Sequence, residues 1–168
     1  MHLALKRQKG FTIVELLIVV VVIAILAAIT IVSYNGITNR AQFTSLKSDL
    51  ATINKAILLY HADNGTYPSS TSSCMNAWCG WNQVTGNSFI PGLSPKYLAS
   101  IPQMPTENVN EDTFLYSSGN GTSYRLMRFK SAGLPAHELS SPLTASPTFS
   151  GTGWGYKSNN IDWAGNLL

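Results

Sequence analysis

From Phe11 to Val32 the chain is apolar at every position except Thr12, Glu15 and Thr30. These 22 residues make a helix about 33 Å long, enough to cross a bilayer core of roughly 30 Å. No later stretch matches it. Beyond it the pattern changes: Phe43, Leu46, Leu50, Ile53, Ile57 and Tyr60 recur at spacings of three and four, with Arg40, Gln42, Lys47, Ser48, Asp49, Asn54 and Lys55 on other faces. That is one apolar stripe on a helix. No proline interrupts residues 11–67, so the pattern predicts one helix from Phe11 to His61, greasy all round in its first half and one-sided in its second. Asn35-Gly36 is its weak point, because glycine costs about 1 kcal/mol inside a helix. Asp63-Asn64-Gly65, followed by Pro68, is expected to end it.

The rest of the chain reads as β and loop. Thr113–Ser117 and Thr122–Lys130 have strand composition, and Ser118-Gly119-Asn120-Gly121 supplies the turn of a hairpin. In the second strand Tyr124, Leu126 and Arg128 alternate with Arg125, Met127 and Phe129. A last strand is expected around Phe149, Trp154 and Tyr156, followed by a C-terminal stretch at Ile161-Asp162-Trp163. Residues 80–110 and 133–148 read as irregular connections, and Trp78 and Trp81 as core cover. The expected fold class is α+β: a long N-terminal helix, membrane-spanning and then amphipathic, packed on a small antiparallel sheet. The expected divisions are a leader at 1–10, a spanning helix at 11–32, an amphipathic helix at 33–62 and a globular head at 63–168.

Charge changes the picture only at the front. The chain has 11 Lys and Arg against 8 Asp and Glu, and Lys6, Arg7 and Lys9 stand before the apolar run with no acid among them. The remainder is neutral, so the basic balance gives no indication of nucleic acid. Cations before a spanning segment predict a cytoplasmic N-terminus and an extracytoplasmic head. Ala27 and Ala28 are followed by Ile29, Thr30, Ile31 and Val32, which argues against signal cleavage there. In an oxidising compartment Cys74 and Cys79 favour one disulfide, with two free thiols as the alternative.

No enzyme is expected. The sequence has no phosphate-cradling glycine loop, no paired metal-binding histidines and no nucleophile elbow, and no cofactor is implied. His2, His61 and His137 are scattered, with His61 read as a partner of the helix dipole or as solvated. Glu107, Glu111 and Asp112 are read as a solvated turn ahead of a calcium site, because the ligand spacing of a calcium loop is absent. Asn64-Gly65-Thr66 and Asn120-Gly121-Thr122 match glycosylation sequons and also read as turns.

The stretch Lys9-Gly10-Phe11-Thr12-Ile13-Val14-Glu15-Leu16, opening a long apolar run, resembles the processing signal of type IV prepilins and the related pseudopilins. Asp63-Asn64-Gly65-Thr66-Tyr67-Pro68 is similar to the helix exit of that superfamily, and Tyr97-Leu98 through Pro102 and Pro105 to its loop before the sheet. The resemblance implies cleavage between Gly10 and Phe11 by a prepilin peptidase, methylation of the new amine on Phe11, and a role for Glu15 in setting register by pairing with the Phe11 amine of an adjacent subunit. It implies a homo-oligomeric helical filament, lipid as the partner before assembly, and an inner-membrane assembly platform with an ATPase motor. Three functions stay open: a pilus subunit, a pseudopilin or minor pilin of a secretion or DNA-uptake system, and a monomeric membrane-tethered binding domain. One departure stands out. Many type IV pilins have a proline near the end of the apolar segment and a glycine within it; here Ala24 and Val32 occupy that neighbourhood. Melting during assembly is therefore expected, if anywhere, near Gly36.

Overall fold

The computed structural model describes residues 10–70, 79, 86–104, 112–119, 121–139 and 152–158. Along the chain come α1 (Ile13–Asn64), a single 3-10 turn (Gly86–Ser88), β1 (Asp112–Gly119), β2 (Ser123–Lys130), α2 (Ala136–Leu139) and β3 (Gly153–Lys157). The chain is α+β, with a long N-terminal helix and a three-stranded antiparallel sheet in the order β1-β2-β3. Helix α1 passes without a break through Asn35-Gly36. The chain forms two compact units, Met1–Arg40 and Ala41–Leu168.

In the second unit the apolar stripe of α1 does what its spacing predicts. Leu46, Leu50, Ile53, Ala56 and Ile57 are buried in one core with Phe114 and Tyr116 of β1, Tyr124 and Leu126 of β2 and Trp154 of β3. Phe43 sets its ring edge-on to Trp154, with centroids 5.4 Å apart. Tyr124 Oη donates to Asn54 Oδ1 at 2.7 Å, tying the middle of the sheet to the helix. Phe89, Ile90, Leu93 and Ile101 come from the irregular stretch 86–104 and complete the core. Its polar outside is fastened to the end of α1: Lys96 Nζ and Tyr97 Oη both reach Asp63 Oδ2 at 3.1 Å. These two donors, the lysine first, hold the Asp63 carboxyl below its usual range.

The helix ends where the turn residues demand. Gly65 takes a φ of 71°, in the left-handed region, and its N–H donates to His61 O at 2.8 Å. Asn64 Nδ2 folds back to donate to Tyr60 O at 2.8 Å. His61 lies in the last turn of α1, where a dipole partner is expected, and also stacks its ring on Tyr67 with centroids 4.1 Å apart. The hairpin turn is glycine-dependent too: at Gly121, with φ 75°, a Cβ would stand 3.0 Å from Thr66 Cβ, and Tyr67 N–H donates to Gly121 O at 2.8 Å.

Two features depart from the alternating pattern. First, the sheet is buried on both faces: Met127 is fully buried and Arg125 is 4% exposed, although both point away from Tyr124 and Leu126. Second, β1 is not an open edge at its centre. Tyr116 and Cys79 exchange backbone bonds of 2.7 and 2.9 Å, and Ser118 N–H donates at 3.0 Å to Ser70 Oγ, which in turn donates to Ser118 O at 2.7 Å. Single residues thus satisfy amides that a further strand would otherwise take.

A buried ion network closes one end of the head. The Arg128 side chain, 3% exposed, pairs with Asp112 and lies 3.2 Å from Glu138 Oε2 through Nε. Trp154 Nε1 donates to Glu138 Oε2 at 2.8 Å, and Lys130 Nζ stands 3.4 Å from Asp112 Oδ2. Two expectations change here. Asp112 is no solvated turn residue but part of this network, while Glu107 and Glu111 lie outside the described residues. The stretch predicted as loop from residue 133 holds the short helix α2, because Glu138 is drawn inward by Arg128 and Trp154. Trp78, Trp81, Phe149 and the Ile161-Asp162-Trp163 stretch lie outside the described residues.

Removing one partner of a buried ion pair leaves the other uncompensated, a loss of about 3–5 kcal/mol. Glu138→Ala is therefore expected to lower the urea midpoint of the detergent-solubilised chain, followed by tryptophan fluorescence, by an amount equivalent to about 3 kcal/mol. Glu138→Gln, which keeps an acceptor for Trp154, is expected to lose less.

Burial raises two tyrosines. The Tyr116 phenol, donating to Pro68 O at 2.6 Å, is held well above the ordinary range, chiefly by desolvation. Tyr124 is pushed up to about 12 by desolvation and by the neighbouring phenols of Tyr67 and Tyr156. The unfolded chain begins to lose such a proton near pH 10.0, whereas folded Tyr124 keeps it until about 12. Between those values the unfolded state binds fewer protons, so stability falls as pH rises. Denaturant titrations across this window are expected to show a shallower fall in Tyr124→Phe than in the parent chain.

Candidate functional site

The first unit presents the opposite surface. From Gly10 to Ile31 every residue is exposed, including Phe11 at 83% and Ile13 at 85%. Among the described residues α1 is the one helix long and apolar enough, by length and composition, to cross a membrane. An all-round apolar helix needs an apolar surrounding on every side. Its polar interruptions are neutralised locally: Thr30 Oγ1 donates to Leu26 O at 2.7 Å, so that hydroxyl needs no outside acceptor.

Glu15 sits in the first turn, and its geometry is specific. Thr12 is the N-cap, since its carbonyl accepts the first helical bond, from Leu16 N–H at 3.2 Å. Thr12 N–H donates to Glu15 Oε2 at 2.8 Å, and Glu15 N–H donates to Thr12 Oγ1 at 3.2 Å. These reciprocal bonds form a capping box, satisfying two amides that the helix itself leaves unpaired. A third bond, from Thr12 Oγ1 to the same Oε2 at 2.7 Å, closes the set. The spacing Thr12-x-x-Glu15 is the sequence signal for this box; the charge of Glu15 in an apolar run does not by itself reveal the part taken by Thr12.

Gly10 and Phe11 precede the helix and are exposed. Among the described residues a methyl group added at Gly10 would meet nothing within 4 Å, so none of them requires glycine there. The front-end residues Gly10, Phe11 and Glu15 therefore cluster at one helix terminus. Cys79 lies in the other unit, against β1, and is disulfide-bonded; Cys74 lies outside the described residues. Among the described residues no three of His, Cys, Asp and Glu gather to hold a metal.

A family profile described as the prokaryotic N-terminal methylation motif matches residues 5–31, the segment that carries this terminus. The chain is 25% identical over 126 residues to the type II secretion system core protein G of Escherichia coli (strain K12), covering 74% of this chain and 82% of that protein. It is 36% identical over 105 residues to a fimbrial protein of Neisseria meningitidis serogroup A, covering 62% and 60%. The chain is thus similar to type IV pilins and pseudopilins. Among other relatives of this pilin-like chain, the core protein G of Pseudomonas aeruginosa is 37% identical over 65 residues, 39% of this chain and 46% of that protein. No solved structure matches.

Proposed function

We propose that this chain is a structural subunit of a type IV pilus, polymerising through α1 after a prepilin peptidase cuts between Gly10 and Phe11. Its support is one observation: a segment exposed and apolar over Gly10–Ile31, helical from Ile13, with Glu15 as its single acid. In the membrane that surface is solvated by lipid. In a filament the same side chains pack against copies of themselves, so association rests on shape fit and polar pairing rather than on leaving water. An acid in a spanning segment is costly, about 2.5–3.5 kcal/mol at the bilayer centre and less near the interface. Pairing Glu15 with the free amine of Phe11 on an adjacent subunit offsets that cost, and only one axial offset brings the two together.

The remaining roles follow from the same reading. Gly10 serves the peptidase, which needs an unobstructed extended backbone on the cytoplasmic side, and Phe11 then carries the methylated amine. Lys6, Arg7 and Lys9 hold the leader in the cytoplasm until the cut, with the head across the membrane. The chain carries no nucleotide-binding motif, so an inner-membrane platform and ATPase would drive extraction from lipid into an extracellular fibre. In the head we assign Cys74 as the disulfide partner of Cys79, which is disulfide-bonded.

A second reading, a pseudopilin of a type II secretion system, is favoured by the core protein G relatives, one of them matched over 82% of its length. The same helix would serve both.

N-terminal sequencing of fibres sheared from cells is expected to begin at N-methylated Phe11. Glu15→Ala is expected to be trimmed normally yet to be missing from those fibres. Recovery of dispersed chains beginning at Met1, in membranes alone, would instead identify a tethered monomeric domain. Trimmed chains without surface fibres, together with blocked protein secretion on deletion, would favour the pseudopilin.

A further inference from the structure

The three bonds between Thr12 and Glu15 are unevenly shared. Both donors of Thr12, its N–H at 2.8 Å and its hydroxyl at 2.7 Å, go to Oε2. Oε1 accepts no donor from the described residues. One oxygen of the carboxylate is therefore held by its own helix while the other is open. Because the threonine hydroxyl also accepts Glu15 N–H at 3.2 Å, it is fixed from both sides and restricts the swing of the glutamate side chain. In lipid a bare carboxylate oxygen has no water to turn to.

We propose that Thr12 is the positioning residue for Glu15: its hydroxyl pins Oε2 so that Oε1 is presented, already oriented, to the terminal amine of a second copy of this chain. The proposal rests on the pairing of Glu15 proposed above, and deepens it. A carboxylate held in one orientation loses less side-chain freedom when its partner docks. Subunits in the membrane carry the acid half-satisfied, which makes it tolerable in lipid, while the open oxygen leaves a charge-assisted bond to be gained on assembly.

Helix capping alone would require only a good N-cap residue, whereas positioning requires the hydroxyl donor. Serine keeps both. Glycine is nearly as good an N-cap but has no hydroxyl, and valine keeps the shape without it. Thr12→Ser is expected to enter sheared fibres as the parent chain does. Thr12→Val and Thr12→Gly are expected to be inserted and trimmed normally, as judged by intact mass of the membrane fraction, yet to fall about ten-fold in fibres, the loss expected for a hydrogen bond to a charged group.

Glu15→Gln separates the two levels. If it enters fibres normally, the pairing of Glu15 falls, and this proposal with it. If it is excluded while Thr12→Val or Thr12→Gly assembles normally, the positioning role alone falls, as it does if Thr12→Ser behaves like Thr12→Val. Should trimming itself be lost in a variant, infrared spectra of the full chain in phosphatidylethanolamine–phosphatidylglycerol vesicles, with a 13C label on the Glu15 carboxylate, decide the matter. The carboxylate bands are expected to shift in Thr12→Val and to hold in Thr12→Ser; unchanged bands in Thr12→Val overturn the proposal.

Discussion

The stripe Leu46, Leu50, Ile53 and Ile57 has to leave water, and a lone helix cannot bury it. Everything in the second unit is arranged around that requirement. Phe114, Tyr116, Tyr124, Leu126 and Trp154 supply the opposing surface, and Phe89, Ile90, Leu93 and Ile101 close its flank. A fully buried side chain of this kind contributes about 1.5–3 kcal/mol. The apolar face of the sheet likewise needs a layer to cover it, so helix and sheet each complete the other. Direct polar ties, such as Tyr124 to Asn54, add register to what burial leaves non-directional.

In the first unit of the same helix the requirement is unmet among the described residues. Among the described residues nothing covers Ile13 to Ile31, and that surface is apolar all round. Lipid or other apolar helices would suit such a surface. The polar groups within it are handled accordingly. Thr30 returns its hydroxyl to its own backbone, and Thr12 and Glu15 satisfy each other at the helix start. A helix end in water would leave such amides to the solvent; here the chain supplies the acceptors itself.

The head uses charge differently. Arg128, Asp112 and Glu138 are largely withdrawn from water and joined to the indole of Trp154. Such a network is worth little against a well-packed apolar substitute, but it is costly to leave half-made. Its effect is to specify where α2 lies against β2 and β3. Cys79 and Ser70 do a related job at β1, satisfying backbone groups that would otherwise invite another chain.

Much of this was legible in the residues alone, because it rests on local periodicity. The 22-residue apolar run, the three-and-four stripe, the Asn64-Gly65 stop and the turn before Gly121 each depend on neighbours a few positions away, so composition and spacing determine them. The capping box was equally local, written as Thr12-x-x-Glu15. What tertiary structure alone decided joins distant parts of the chain: Arg128 with Asp112 and Glu138, Trp154 with Glu138, Tyr116 with Cys79 and Pro68, His61 with Tyr67. No periodicity encodes those pairs. Alternation places Arg125 and Met127 on the far face of the sheet, but whether that face is wet or dry depends on what the rest of the fold lays across it. Local order is set by backbone geometry and side-chain spacing, whereas burial is set by the whole chain closing on itself.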